Sequence, residues 1–121
     1  MQSVLSYPKI IVISPQGTLN SANALEFERD LIKALTQDQN TVLLINLEQV
    51  ESLDNAGLMA LVSALKLAQK LERGFSLCSV NPSIQIIFEL TQLDRVLQIF
   101  ANQAAFEAAC LSVGDIHRVY A

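Results

Sequence analysis

Hydrophobic positions along this chain switch between a period of two and a period near 3.6. Lys9-Ile10-Ile11-Val12-Ile13-Ser14 is rich in β-branched residues and follows the turn-prone Tyr7-Pro8, which predicts a strand. Val4-Leu5 suits a short strand before that turn, giving an opening hairpin. Pro15-Gln16-Gly17 interrupts or bulges the strand, and Thr18-Leu19 continues it. From Ala22 to Thr36 the period lengthens. Ala24, Phe27, Leu31, Ala34 and Leu35 fall at helical spacing, with Glu26, Arg29, Asp30 and Lys33 on other faces. Asn20 or Ser21 supplies an N-cap oxygen for the first amides.

Thr41-Val42-Leu43-Leu44-Ile45-Asn46-Leu47 is apolar on both faces, the pattern of a strand covered on two sides. A second helix spans Ala56 to Arg73, its stripe traced by Leu58, Leu61, Val62, Leu65, Ala68 and Leu71, with Gly74 placed as a C-terminal cap. Phe75 to Val80 alternates as a strand. Asn81-Pro82 then signals a helix start, with Ile84, Ile87, Phe88 and Thr91 as its face. Val96 to Phe100 reads as a last edge strand, and Asn102 caps a final helix carrying Ala105, Phe106, Ala109 and Cys110. The order β(β)αβαβαβα predicts an α/β fold: a small mixed, mainly parallel sheet of four to five strands packed with about four helices. No linker or repeat interrupts the chain, so one domain over 1–121 is expected, with a core of about 4–113 and a short tail of 114–121.

Composition narrows the function. With 51% hydrophobic and 17% charged residues the chain has material for a real core. Its net charge of −4, without a Lys/Arg cluster, argues against nucleic acid and anionic lipid surfaces. No apolar run approaches the ~20 residues of a membrane span, and the N-terminus lacks a secretory pattern, so no membrane insertion and a cytoplasmic location are expected. Cys78 and Cys110 sit in apolar surroundings without C-x-x-C spacing and read as buried, reduced hydrophobes.

Catalytic chemistry finds little to work with. Glycine stands only at positions 17, 57, 74 and 114, so neither a G-x-G-x-x-G turn nor a P-loop can be written. The single histidine, His117, lies in the polar tail, remote from any partner for a zinc site or a nucleophile–base pair. Glu26, Glu28 and Asp30 share the first helix and Glu48 and Glu51 follow the central strand, a pattern of solvated faces. The expectation is therefore no enzyme, no catalytic residue, no metal and no cofactor.

One segment stands apart: Glu48-Gln49-Val50-Glu51-Ser52-Leu53-Asp54-Asn55-Ala56-Gly57-Leu58. Read as a loop between the central strand and the longest helix, it falls at the carboxyl edge of the sheet, where α/β domains place binding surfaces. Asp54 or Asn55 can cap the helix, and Gly57 keeps bulk away from its first turn. On spacing alone this is also ordinary helix-start chemistry.

At these residues the sequence resembles the STAS family, whose best-known members are bacterial anti-sigma-factor antagonists. The family's hydrophobic strand followed by Asp-Ser-Ser-Gly-Leu is similar to Leu53-Asp54-Asn55-Ala56-Gly57-Leu58. Its Gly-Glu-Leu-Asp turn is similar to Gly17-Thr18-Leu19-Asn20, and its Pro-started helix to Cys78-Ser79-Val80-Asn81-Pro82-Ser83. The apolar run that follows looks like Ile87-Phe88-Glu89-Leu90-Thr91-Gln92-Leu93. Four motifs in order, over roughly residues 4–110, make the resemblance fairly specific.

The resemblance implies a module that binds an anti-sigma factor, a serine kinase with an ATP-binding fold. It implies a docking surface of Asp54, Asn55, Ala56, Gly57 and Leu58, with Asn20 and Ser21 nearby. In regulated family members the kinase phosphorylates the second serine of Asp-Ser-Ser-Gly, adding nearly two negative charges at the interface and breaking the complex. Here that acceptor aligns with Ala56, which has no hydroxyl; Asn55 replaces the preceding serine and Asn20 the acidic residue of the earlier turn. The resemblance thus implies the docking face without the phospho-switch, Ser52 and Ser21 being the alternative acceptors. Other readings are a STAS subunit of a larger signalling or transport complex, and a nucleotide held at the Asp54–Leu58 helix start. The last faces the lack of any Lys or Arg between Lys33 and Lys66. A monomer or weak homodimer is expected.

Overall fold

In the computed structural model, which describes residues 9–37 and 39–112, strands and helices alternate along the chain. In order they are β1 (Lys9–Ile13), β2 (Gly17–Leu19), α1 (Ala24–Gln37), β3 (Thr41–Asn46), β4 (Val50–Leu53) and α2 (Asn55–Leu71). Then come β5 (Gly74–Cys78), α3 (Pro82–Leu90), a 3-10 turn (Leu93–Arg95), β6 (Gln98–Phe100) and α4 (Gln103–Ser112). Four strands form one sheet in the order β1-β3-β5-β6, and β2 and β4 form a second, two-stranded sheet. Each of these strand pairs is parallel. Parallel neighbours need a crossover between them, and α1, α2 and α3 supply three of these.

β3 is the axis of the core because its side chains are buried on both faces. Leu43 and Ile45 join Phe27, Leu31 and Leu35 of α1, Leu61 and Leu65 of α2, and Ile84 and Phe88 of α3. Val42 and Leu44 point the other way, to Cys78 and to Phe106 and Cys110 of α4. There Phe100 meets Phe106 edge to face, ring centroids 5.4 Å apart at 82°. Such a pair adds about 1 kcal/mol beyond its buried area. Both cysteines are free thiols and buried.

Several sequence expectations are corrected. The stretch Val50–Leu53, read as loop, is strand β4. Thr18-Leu19 does not continue β1; it crosses into the second sheet as part of β2. α1 begins at Ala24, two residues after the expected start, because Asn20 to Asn23 form a separate turn. Gly74 is not the C-cap of α2. Glu72 takes the left-handed conformation at φ 57°, and Gly74 opens β5. β5 stops at Cys78 because Ser79 turns to φ 61° and gives its N–H to the Phe100 carbonyl at 3.2 Å. In the last expected strand only Gln98–Phe100 pairs, since the residues before it close a 3-10 turn. The Val4-Leu5 hairpin strand lies outside the described residues.

Candidate functional site

The start of α2 is built from two segments more than thirty residues apart in sequence. β2 runs beside β4, Gly17 opposite Val50 and Leu19 opposite Leu53, with a register shift after Gly17. Gly17 sits at φ +78°, open to a residue without Cβ, and gives its N–H to the Gln49 carbonyl at 2.8 Å. A side-chain rung adds to the pair: the Ser52 hydroxyl donates to Thr18 Oγ1 at 3.1 Å. At its end the Leu19 carbonyl accepts the Asp54 N–H at 3.0 Å.

Asp54 is the N-cap. Its backbone is extended at φ −97°, ψ −172°, and Oδ1 accepts the N–H of Ala56 at 2.9 Å and of Gly57 at 3.1 Å. A carboxylate here satisfies two orphan amides and favours the positive end of the helix dipole. Gly57 then packs directly on β2. A Cβ there would stand 2.7 Å from the Leu19 carbonyl oxygen and 2.9 Å from both Leu19 Cβ and Leu53 Cδ1. Only glycine lets the helix start lie this close to the small sheet.

The turn after β2 completes the arrangement. Asn20 Oδ1 accepts the Ala22 N–H at 2.9 Å. Asn23 Oδ1 accepts the Asn20 N–H at 3.0 Å, and Asn23 Nδ2 donates to the Thr18 carbonyl at 2.8 Å. Asn20 thus closes its own turn rather than capping α1, and Asn23 locks that turn against β2.

The residues singled out from sequence come together around this joint but present different surfaces. Asp54, Asn55 and Ser21 are exposed; Asn20, Ala56 and Leu58 are half-buried. Gly57 is buried, so its part is close packing and not exposed area. Ser52, an alternative phosphate acceptor, is exposed with its hydroxyl on Thr18. His117 lies outside the described residues.

Sequence reasoning missed three contributors. Met59, one turn beyond Asn55, is 49% exposed. Asn23 carried a signal in its spacing of three from Asn20. Asn81 was read as a cap, which it is, accepting the Ile84 N–H at 2.9 Å. It also donates through Nδ2 to the Val50 carbonyl at 3.0 Å and the Glu51 carbonyl at 3.2 Å. That bridge ties the start of α3 to β4, and no local pattern announces it.

Comparison with known proteins gives this geometry a family. The family model described as the STAS domain matches residues 2–105. The chain belongs to the STAS domain family. A candidate anti-sigma factor antagonist of Thermotoga neapolitana, a TM1081 homologue, is 30% identical over 92 residues, covering 75% of this chain and 80% of the relative. The crystal structure of TM1081, a candidate anti-sigma factor antagonist of Thermotoga maritima, superposes with a TM-score of 0.74. It is 28% identical and covers 84% of this chain and 90% of that one. An anti-sigma factor antagonist of Mycobacterium paratuberculosis gives a TM-score of 0.70 at 26% identity, covering 82% of this chain and 84% of that one.

Within this STAS domain, the α2 start carries its own anion. The Asp54 carboxylate already holds the Ala56 and Gly57 amides, which makes the spot a poor cradle for a nucleotide phosphate. What it exposes is Asn55 and Met59, with Ala56 half-buried beside them. Among the described residues no helix is long and apolar enough to cross a membrane.

Proposed function

We propose that this STAS domain is an anti-sigma factor antagonist that docks an anti-sigma factor of the serine-kinase type through the α2 start and the Asn20 turn. Asp54, Asn55, Ala56 and Leu58, with Asn20 and Ser21, form the contact, and Gly57 sets its shape from below. The supporting observation is the Asp54–Leu19 hydrogen bond, reinforced by Gly57 packing, which fixes two distant motifs of the resemblance as one rigid step. Rigid, small-residue surfaces lose little side-chain entropy when a partner covers them. The domain acts by occupying its partner and performs no catalysis itself.

Ala56 stands where regulated relatives carry the phosphorylated serine, so this antagonist stays in the binding-competent form at that position. Incubation with a kinase-type anti-sigma factor and ATP is expected to leave the intact mass unchanged, whereas the Ala56→Ser variant gains one phosphate. A phosphate on the unaltered chain, at Ser52 or Ser21, overturns this part of the reading. For docking itself, Ala56→Asp is expected to weaken the complex roughly 100-fold or more, because it sets a second carboxylate beside Asp54 in a desolvated contact. Unchanged affinity refutes the docking face. The absent hydroxyl also suits a STAS subunit of a larger signalling or transport assembly, where no phosphorylation cycle is needed; recovery of a transporter ATPase instead of a kinase-like factor decides for that role.

A further inference from the structure

A groove adjoins the docking face. Between the β1–β2 connection and α1 lies a groove of about 240 Å³, lined on one side by Ser14, Pro15 and Gln16. Its apolar floor is Ile13, Leu19 and Phe27, the last two buried at 3% and 6% exposure. Glu26 and Asp30 form its α1 rim. Four residues apart on a helix, they stand on one face about 5–6 Å from each other at Cβ. Both are exposed, and among the described residues no basic side chain lines the groove. Asn23 belongs to the lining as well as to the hydrogen bonds that hold the Asn20 turn, so groove and docking face share a wall.

We propose that this groove receives an arginine side chain projecting from the protein partner, its stem on Leu19 and Phe27 and its guanidinium between Glu26 and Asp30. The inference rests on the docking reading above and extends that surface along α1. Three features select this occupant. Pockets for drug-sized ligands run roughly 300–1,000 Å³, so the volume suits one long side chain better than a free nucleotide. The apolar floor favours a methylene stem over a hydrated metal ion. Two carboxylates at one rim match a planar, multi-donor cation better than a compact ammonium.

N-acetyl-arginine N-methylamide, titrated into the labelled domain and followed by NMR, tests the groove directly. Saturable shifts confined to residues 13–30 are expected, with affinity falling on the order of tenfold in E26Q/D30N and no saturation with the norleucine analogue. Shifts that spread evenly to Glu48 and Glu51, or that survive E26Q/D30N, overturn the proposal. A second measurement separates it from the reading it rests on. With a purified anti-sigma factor, E26Q/D30N is expected to weaken the complex and flatten its salt dependence while thermal melting stays unchanged. If Ala56→Asp breaks the complex and E26Q/D30N leaves it intact, the groove proposal fails and the docking face stands. If the reverse holds, the arginine groove stands and the α2 start is not the contact.

Discussion

Two helices of this molecule start with the same local chemistry and come to different ends. At α2 an Asp side chain caps the first amides, and at α3 an Asn side chain does so. Asn81 has an amide left over after capping, and its Nδ2 donates to the Val50 and Glu51 carbonyls of β4. The start of α3 is thereby a joint. Asp54 has no such donor. Its carboxylate turns inward to its own helix, and the next residue, Asn55, remains exposed while Ala56 is half-buried against the core. A cap is therefore no evidence of function by itself; what the cap's remaining atoms touch decides whether a helix start is scaffold or face.

Substitutions that break this contrast rank by how much packing they disturb. Gly57→Val should cost most, about 3 kcal/mol by urea unfolding, because backbone and side-chain atoms of Leu19 and Leu53 already fill the space a Cβ needs. In an exposed helix, removing glycine would instead gain up to about 1 kcal/mol, so the sign alone tells whether the α2 start is seated on β2 as described. Asn81→Ala should cost about 2 kcal/mol, losing the cap and leaving two β4 carbonyls without their donor. Asn81→Asp keeps the cap but turns a carboxylate oxygen onto the same two carbonyls, so it should cost at least as much as Asn81→Ala; parity with the parent would mean the joint is not formed.

Asp54→Ala should cost about 1 kcal/mol, the ordinary value of an N-cap, and Asp54→Asn should recover most of that stability. If Asp54→Ala proves as costly as Asn81→Ala, the two helix starts are not different in kind. The smallest effect is a pH dependence behind the joint, at the end of β5. Burial raises the Cys78 thiol above its ordinary range; the Ser79 hydrogen bond opposes this and the Glu48 charge adds to it. In the unfolded chain the thiol ionises near its ordinary value of about 8.5. Above that pH the unfolded state sheds the proton while the folded state keeps it, so folding stability declines as pH rises toward the folded value. Urea midpoints that fall between about pH 8 and pH 10, with slow Cys78 alkylation in the native state, are the expected readings. Fast alkylation of native protein at about pH 8 would place the thiol nearer solvent than β5 allows.

How much of this was legible beforehand differs between elements. Thr41–Asn46 was readable because Val42-Leu43-Leu44-Ile45 is an unbroken apolar run of strand length, and the first five residues of that strand are buried. The α3 start was readable because Asn-Pro restricts its own backbone. β4 was not, since Val50-Glu51-Ser52-Leu53 has polar residues in its middle and becomes a strand only by pairing with a three-residue partner at Gly17–Leu19. The end of α2 misled for a similar reason: glycine is the usual left-handed residue, yet Glu72 takes that conformation and leaves Gly74 to begin β5 opposite Val42.

The four helices, the central strand and the short side chains at the α2 start were determined by the sequence, because each follows from residues within one or two turns of each other; the buried face of α2 was legible only in part, since Ala60 and Ala64 are buried where Leu58, Val62 and Leu71 were expected. Tertiary structure alone decided that Leu19 and Asp54 share a hydrogen bond, that Asn81 grips β4, and that Gly57 lies beneath the proposed face and not on it. Those facts depend on contacts between segments some thirty residues apart, where periodicity carries no information and only the closing of the second sheet sets which atoms meet.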